Sequence, residues 1–147
     1  MKPIKKFKEF LNESVSNDLK SDALEFIKKY LGIKSKVSLN HTPSKYNKDL
    51  SGYNMANVGF NNSKGFEINI DFNETKFGFV RRLAHEMVHV KQIEDGRLKR
   101  TGDNFSFDGK VYSKKDYEKD YHQDKIPDFE EEAFDQERII ANAFWHK

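Results

Sequence analysis

The strongest constraint in this chain is a switch of hydrophobic period across residues 72–76. Before it, Phe66, Ile68, Ile70 and Phe72 alternate with Glu67, Asn69 and Asp71, the two-residue repeat of a strand with one buried face. After it, from about Lys76 to Asp95, apolar residues recur at helical spacing, and Gly96 ends the run. A strand with one apolar face and a helix with one apolar stripe each need cover, so the pair predicts a mixed domain.

The flanking segments fit that frame. Two short helices open the chain, the first on Ile4, Phe7 and Leu11, the second on Leu19, Ala23, Phe26, Ile27 and Tyr30. Gly32 is placed to stop the second. A strand around Val37 and Leu39 follows, then a polar loop from Asn40 to Gly52 that contains Pro43. Tyr53 to Phe60 runs through the turn-like Asn61–Gly65 into the alternating strand, which is a hairpin pattern. A second hairpin is expected from Phe105 to Tyr112, with Asp108-Gly109 as its turn pair. Ser113 to Lys125 reads as a charged loop, and Pro127 precedes a final helix from about Asp128 to Phe144. At 147 residues this is a single α+β domain, with 1–16 an N-terminal amphipathic helix or tag and 17–147 the domain itself.

Composition narrows the function classes. Aromatic residues make up 14% of the chain, Phe alone numbering 13, which is core material that a disordered chain lacks. A net charge of +2 gives no electrostatic footprint for nucleic acid, so none is expected as a partner. The chain has no Cys, which excludes disulfides and thiolate sites and leaves His and carboxylate as the available ligands for a metal. Met1 to Glu13 carries no apolar run like a signal peptide's, and no stretch is fit to span a bilayer. The expectation is a cytoplasmic protein without a membrane partner, and nothing in the pattern selects an oligomeric state.

The chemistry-bearing motif lies on the helix after the period switch. His85-Glu86-Met87-Val88-His89 is an H-E-x-x-H sequence, and residues four apart on a helix stack one turn above each other, so both imidazoles can reach one ion. At about 100° per residue, Val80, Leu83, Ala84, Met87 and Val88 form one apolar stripe. His85, His89 and Gln92 fall on roughly the opposite side, with Glu86 on a flank between the two. One face is thus expected to pack and the other to present the His pair to a cleft. Zinc usually takes a third protein ligand and keeps one position for water. The last helix offers Glu130, Glu131 and Glu132. Phe129, Ala133, Ile140 and Phe144 define its buried stripe; Glu130 lies at the edge of that stripe, while Glu131 and Glu132 point away. An ionised carboxylate turned inward is costly unless paired or metal-bound, which makes Glu130 the expected third ligand of a Zn2+ ion. Glu137 also faces inward, either orienting a ligand imidazole or pairing with Arg81 or Arg82.

Leu83-Ala84-His85-Glu86-Met87-Val88-His89-Val90-Lys91-Gln92 resembles the active-site helix of compact zincin metallopeptidases, including small phage-encoded ones. Pro127-Asp128-Phe129-Glu130-Glu131-Glu132-Ala133 is similar to their later P-(W/F)-E-x-E-A segment, with one residue inserted after the proline. The resemblance covers roughly Phe66 to Phe144. Aligned on Phe129 and Ala133, it makes Glu130 the counterpart of the family's glutamate ligand; the alternative is Glu131 with Asp135, like the E-x-x-x-D pairing of thermolysin-like enzymes.

The resemblance implies a zinc-dependent peptidase acting on a peptide or protein substrate, with Glu86 as general base. It also implies that the strand Phe66 to Phe72 presents an edge to an extended substrate, with Glu67 and Asp71 turned outward. Tyr112, Tyr117, Tyr121 and His122 are candidates for a second electrophile at the oxyanion. Phe7-Lys8-Glu9-Phe10-Leu11-Asn12-Glu13 resembles N-terminal tags of large tailed phages, which implies a host cytoplasm or a virion as location. Two other functions stay open. One is a catalytically silent zincin-fold protein with a binding or virion role. The other is a DNA-associated protease sharing the same helix, although this chain has neither the Cys-based zinc ribbon nor the basic footprint of such proteins.

Overall fold

The computed structural model describes residues 15–43, 65–102, 104–113 and 126–147, together with the backbone of 56–59. The expected helix on Ile4, Phe7 and Leu11, most of the 40–52 loop, and Tyr117, Tyr121 and His122 lie outside these residues. The described elements are α1 (Asn17–Leu31), β1 (Val37–His41), β2 (Ala56–Gly59), β3 (Phe66–Ile70) and α2 (Lys76–Glu94), then β4 (Leu98–Thr101), β5 (Asn104–Phe107), β6 (Lys110–Ser113) and α3 (Asp128–Trp145). The architecture is α+β, as the change of period requires.

Local chemistry sets the boundaries. Ser16 caps α1 by accepting from the Leu19 N–H, and Thr75 caps α2 by accepting from the Gly78 N–H, both at 3.1 Å. Gly32 closes α1 with φ of 71°, a left-handed cap. The Glu94 carboxylate at the end of α2 accepts from the Lys34 and Ser35 N–H groups, which ties the α1–β1 connection to α2.

The first sheet has the order β1-β3-β2, with β1 parallel and β2 antiparallel to β3. This corrects the expectation of a substrate-binding edge at Phe66 to Phe72: β3 is the central strand, and both of its sides are already paired. Its alternation survives, with Phe66, Ile68 and Ile70 buried and Glu67 exposed. Asp71 is not turned outward as expected. The strand ends at Ile70, and Asp71 is buried in the turn that follows, where Oδ1 accepts from the Asn73 N–H at 2.8 Å.

The second sheet is an antiparallel meander, β4-β5-β6. Its β5–β6 turn holds Asp108 at φ 50° and Gly109 at φ 87°, the positive values that a tight hairpin turn demands at both positions. β4 has no counterpart in the sequence reading, because only Leu98 of its residues is buried and there is no alternation to read.

The main core joins Ala23 and Ile27 of α1, Ile68 and Ile70 of β3, Phe79, Leu83 and Met87 of α2, and Ala133, Ile140 and Phe144 of α3. A smaller cluster, Leu98, Phe107, Tyr112 and Phe129, joins the second sheet to the start of α3. Helix α2 is covered on both sides. Over the His face it is α3 that packs, the helix expected to bring Glu130 to the His pair. Among the described residues, no helix is long and apolar enough to cross a membrane.

Candidate metal centre

Helix α3 begins with two apolar anchors around one carboxylate. Phe129 inserts into the smaller cluster and Ala133 into the main core, both buried, and the residue after Phe129, at the edge of that face, is turned inward. That residue is Glu130, 5% exposed. Glu131 and Asp135 are exposed, so the alternative ligand pair faces solvent.

Glu130 meets the two histidines of α2. Its Oε1 lies 3.3 Å from His85 Nε2 and is also in contact with His89 Nε2. The two imidazoles are edge to face, with ring centroids 4.9 Å apart. One ligand atom from each of His85, His89 and Glu130 falls within 4.8 Å of the other two. Two imidazole nitrogens and a carboxylate oxygen at this separation suit a first-row dication, with room in a tetrahedron for one further ligand.

The far side of each ring is held as well. His85 Nδ1 lies 3.3 Å from Glu137 Oε1, and His89 Nδ1 lies 2.9 Å from Gln92 Oε1. An ionised carboxylate only accepts, so His85 Nδ1 is the donor and its Nε2 is left for the centre. Glu137 also accepts from Arg81 Nε at 2.6 Å, so it touches both His85 and one of the arginines considered for it.

Glu132 corrects the sequence reading. It does not simply point away, because its Oε1 accepts from Gln92 Nε2 at 3.1 Å and from Arg97 Nη1 at 2.9 Å. Gln92 and Arg97 were given no role by sequence. For Gln92 a signal existed, since it shares the face of the His pair.

The electrostatics follow from three buried acids around two imidazoles. Burial would raise the Glu130 pKa, but the hydrogen bonds with His85 and His89 hold it far below the usual carboxylate range. Burial would lower that of His85, yet the hydrogen bonds with Glu130 and Glu137 push it up to about 10. His89 is raised likewise, against its own burial, by its hydrogen bond with Glu130. Glu137 is lowered by His85 and Arg81 in spite of burial. Glu86, 8% exposed, goes the other way: burial raises its pKa, and the positive charges of His89 and His85 only partly offset this. The cluster is thus rich in buried negative charge, which only protons or a cation can neutralise.

Aromatic side chains frame the centre. Phe134, 37% exposed, sits with its ring 4.6 Å from that of His85, and Phe129 lies edge-on to His89 at 6.1 Å. Tyr112 packs edge-on against Phe129 at 5.6 Å, its hydroxyl buried without a hydrogen-bond partner among the described residues. No family model matches this chain, and no curated protein or solved structure is detectably similar to it.

Proposed function

We propose that this chain is a zinc-dependent metallopeptidase of the compact zincin kind, with His85, His89 and Glu130 as the ligands and Glu86 as the general base. One observation carries the reading: both Nε2 atoms converge on the Glu130 carboxylate while both Nδ1 atoms are held from behind. Helical His pairs that merely share a surface have no reason to be aimed and anchored in this way.

Zinc held by His85, His89 and Glu130 would supply a Lewis acid and lower the pKa of an attacking water towards ~7. Glu86 would accept a proton from the attacking water on its carboxylate and deliver it to the leaving amine nitrogen. Burial, which raises the pKa of Glu86, suits it to both halves of that task. Glu130 contributes a negative charge, and Glu137 and Gln92 keep the two rings in place. With β3 paired on both sides, the sheet edge beside α2 among the described residues belongs to β2, and an extended peptide would add there. A phage origin, and with it a host cytoplasm or virion as location, is proposed on the sequence resemblance alone.

Glu86→Gln tests the mechanism. The variant should keep stoichiometric zinc while peptide cleavage falls by roughly 10²–10⁴-fold; cleavage at the wild-type rate would refute the role of Glu86. His85→Ala and Glu130→Ala should each lose the ion.

A second reading is a catalytically silent protein whose ion is structural. It is favoured by the depth of the site, where the His85, His89 and Glu130 side chains are 12%, 11% and 7% exposed. A peptide-library digest with zinc present separates the two readings, since only a peptidase yields products.

A further inference from the structure

Gln92 is 1% exposed, and every polar atom of its side chain is used. Its Nε2 donates to the Phe129 carbonyl and to Glu132 Oε1, both at 3.1 Å. Neither acceptor has a proton to give, for one is a backbone carbonyl and both oxygens of the other, the Glu132 carboxylate, are held by the Arg97 guanidinium. The amide nitrogen must therefore face α3 and the amide oxygen must face His89. A carbonyl oxygen only accepts, so His89 Nδ1, 2.9 Å away, carries a proton and donates it. His89 Nε2, in contact with Glu130 in the metal-free cluster, is then the nitrogen left to bind a metal once its own proton is displaced.

The support extends outward. Arg97 grips Glu132 through Nη1 at 2.9 Å and Nη2 at 2.8 Å. The same guanidinium grips Asp108, in the β5–β6 turn, through Nε at 2.9 Å and Nη2 at 3.0 Å. An unbroken series of hydrogen bonds thus runs from the second sheet to one ring of the candidate centre.

We propose that Gln92 is a positioning residue that selects the metal-binding tautomer of His89, and that the Arg97–Glu132 pair fixes the amide orientation on which this selection depends. The inference rests on the proposed metal site. It adds a division of labour: a carboxylate orients His85 and a neutral amide orients His89, so the second ring is aimed without adding charge.

The test uses the whole chain with Gln92→Met, which keeps length and apolar bulk and removes the hydrogen bonds. Zinc affinity, read by competition with a chromophoric chelator, should fall roughly 10–100-fold. In the zinc-loaded protein the exchange-protected Nδ1–H proton signal of His89 should be lost while that of His85 persists. A role in packing alone would lower the melting temperature without this selective change. Unchanged affinity together with a retained His89 signal would overturn the proposal. Should Gln92→Met fail to fold, Glu132→Ala, at a half-exposed position, removes one of the two acceptors. It should weaken zinc binding in the same direction by less, and unchanged affinity there would equally overturn the proposal. Wild-type protein that takes up no zinc defeats the metal reading itself, and this inference with it, before any variant is compared.

Discussion

The two sides of α2 are both buried, but by opposite chemistry. Towards β3 and α1 it presents Phe79, Leu83, Ala84 and Met87, each 0% exposed, in a continuous apolar core. Towards α3 it presents His85, His89 and Gln92, packed against Glu130 and Glu137. The apolar side contributes stability in proportion to area removed from water, whatever the pH or metal content. The other side is conditional, because buried charges are stable only while each has its counter-charge. One helix therefore combines a fixed scaffold with a charge cluster whose free energy depends on its protonation.

The largest expected effect is on the apolar side. Phe79→Ala should cost about 3–5 kcal/mol of folding free energy, read by urea denaturation with and without zinc. The loss should be the same in both conditions, and folded protein should bind zinc as the wild type does. A loss that depended on zinc would break the distinction between the two sides.

Metal removal probes the other side with a comparable effect. At free zinc about 1,000 times the dissociation constant, the bound ion should stabilise the fold by about 4 kcal/mol. Chelation should remove that increment from the wild type and from Phe79→Ala alike. Glu130→Ala should show no increment to remove. A melting temperature indifferent to both zinc and chelator would leave α3 packed over a charge cluster with no ion to serve.

The pH dependence of the chelated protein sharpens the contrast. Glu130 and Glu137 have lowered pKa values, so their contribution is present above the unfolded value of 4.5 and is lost as the pH falls through the folded values. His85 is raised from 6.5 to about 10, so its contribution is complete below 6.5 and is lost as the pH rises through about 10. Glu86 is raised from 4.5, so it subtracts stability as the pH climbs past that value. The chelated protein should thus be most stable between about 4.5 and 6.5 and weaken towards pH 10. Zinc competes with protons for the imidazoles, so its stabilising increment should grow over the range in which the chelated protein weakens. Urea melts from pH 4 to 10, with and without chelator, would expose parallel curves if the cluster did not bind metal.

What could be read in advance divides along the same line. Apolar periodicity is local, so the strand Phe66–Ile70, the helix Lys76–Glu94 and the inward turn of Glu130 were legible from spacing alone. The Asp108-Gly109 turn was legible because few residue pairs accept two positive φ values. The central place of β3 was not, since its parallel pairing with β1 joins residues far apart in sequence. Nor was the depth at which α3 buries His85 and His89: a wheel says which side lacks apolar residues and nothing about how closely another helix covers it. Glu132 was misread for a related reason, because its partners Gln92 and Arg97 belong to other parts of the fold.

The smallest expected effect is the most discriminating. Glu131 is next to Glu130 in sequence, and on chemistry alone either carboxylate could be the third ligand. Phe129 and Ala133 settle which one turns inward, since fixing both in the core leaves Glu131 exposed a third of a turn away. Glu131→Ala should change stability by no more than about 0.5 kcal/mol and leave zinc affinity as it was, whereas Glu130→Ala should abolish binding. Paired titrations of the two variants decide the matter. Loss of zinc in Glu131→Ala with retention in Glu130→Ala would mean that α3 is rotated in the metal-bound protein. In that case the burial of Glu130 would be a feature of packing, and the conditional side of α2 would have to be rebuilt around Glu131 and Asp135.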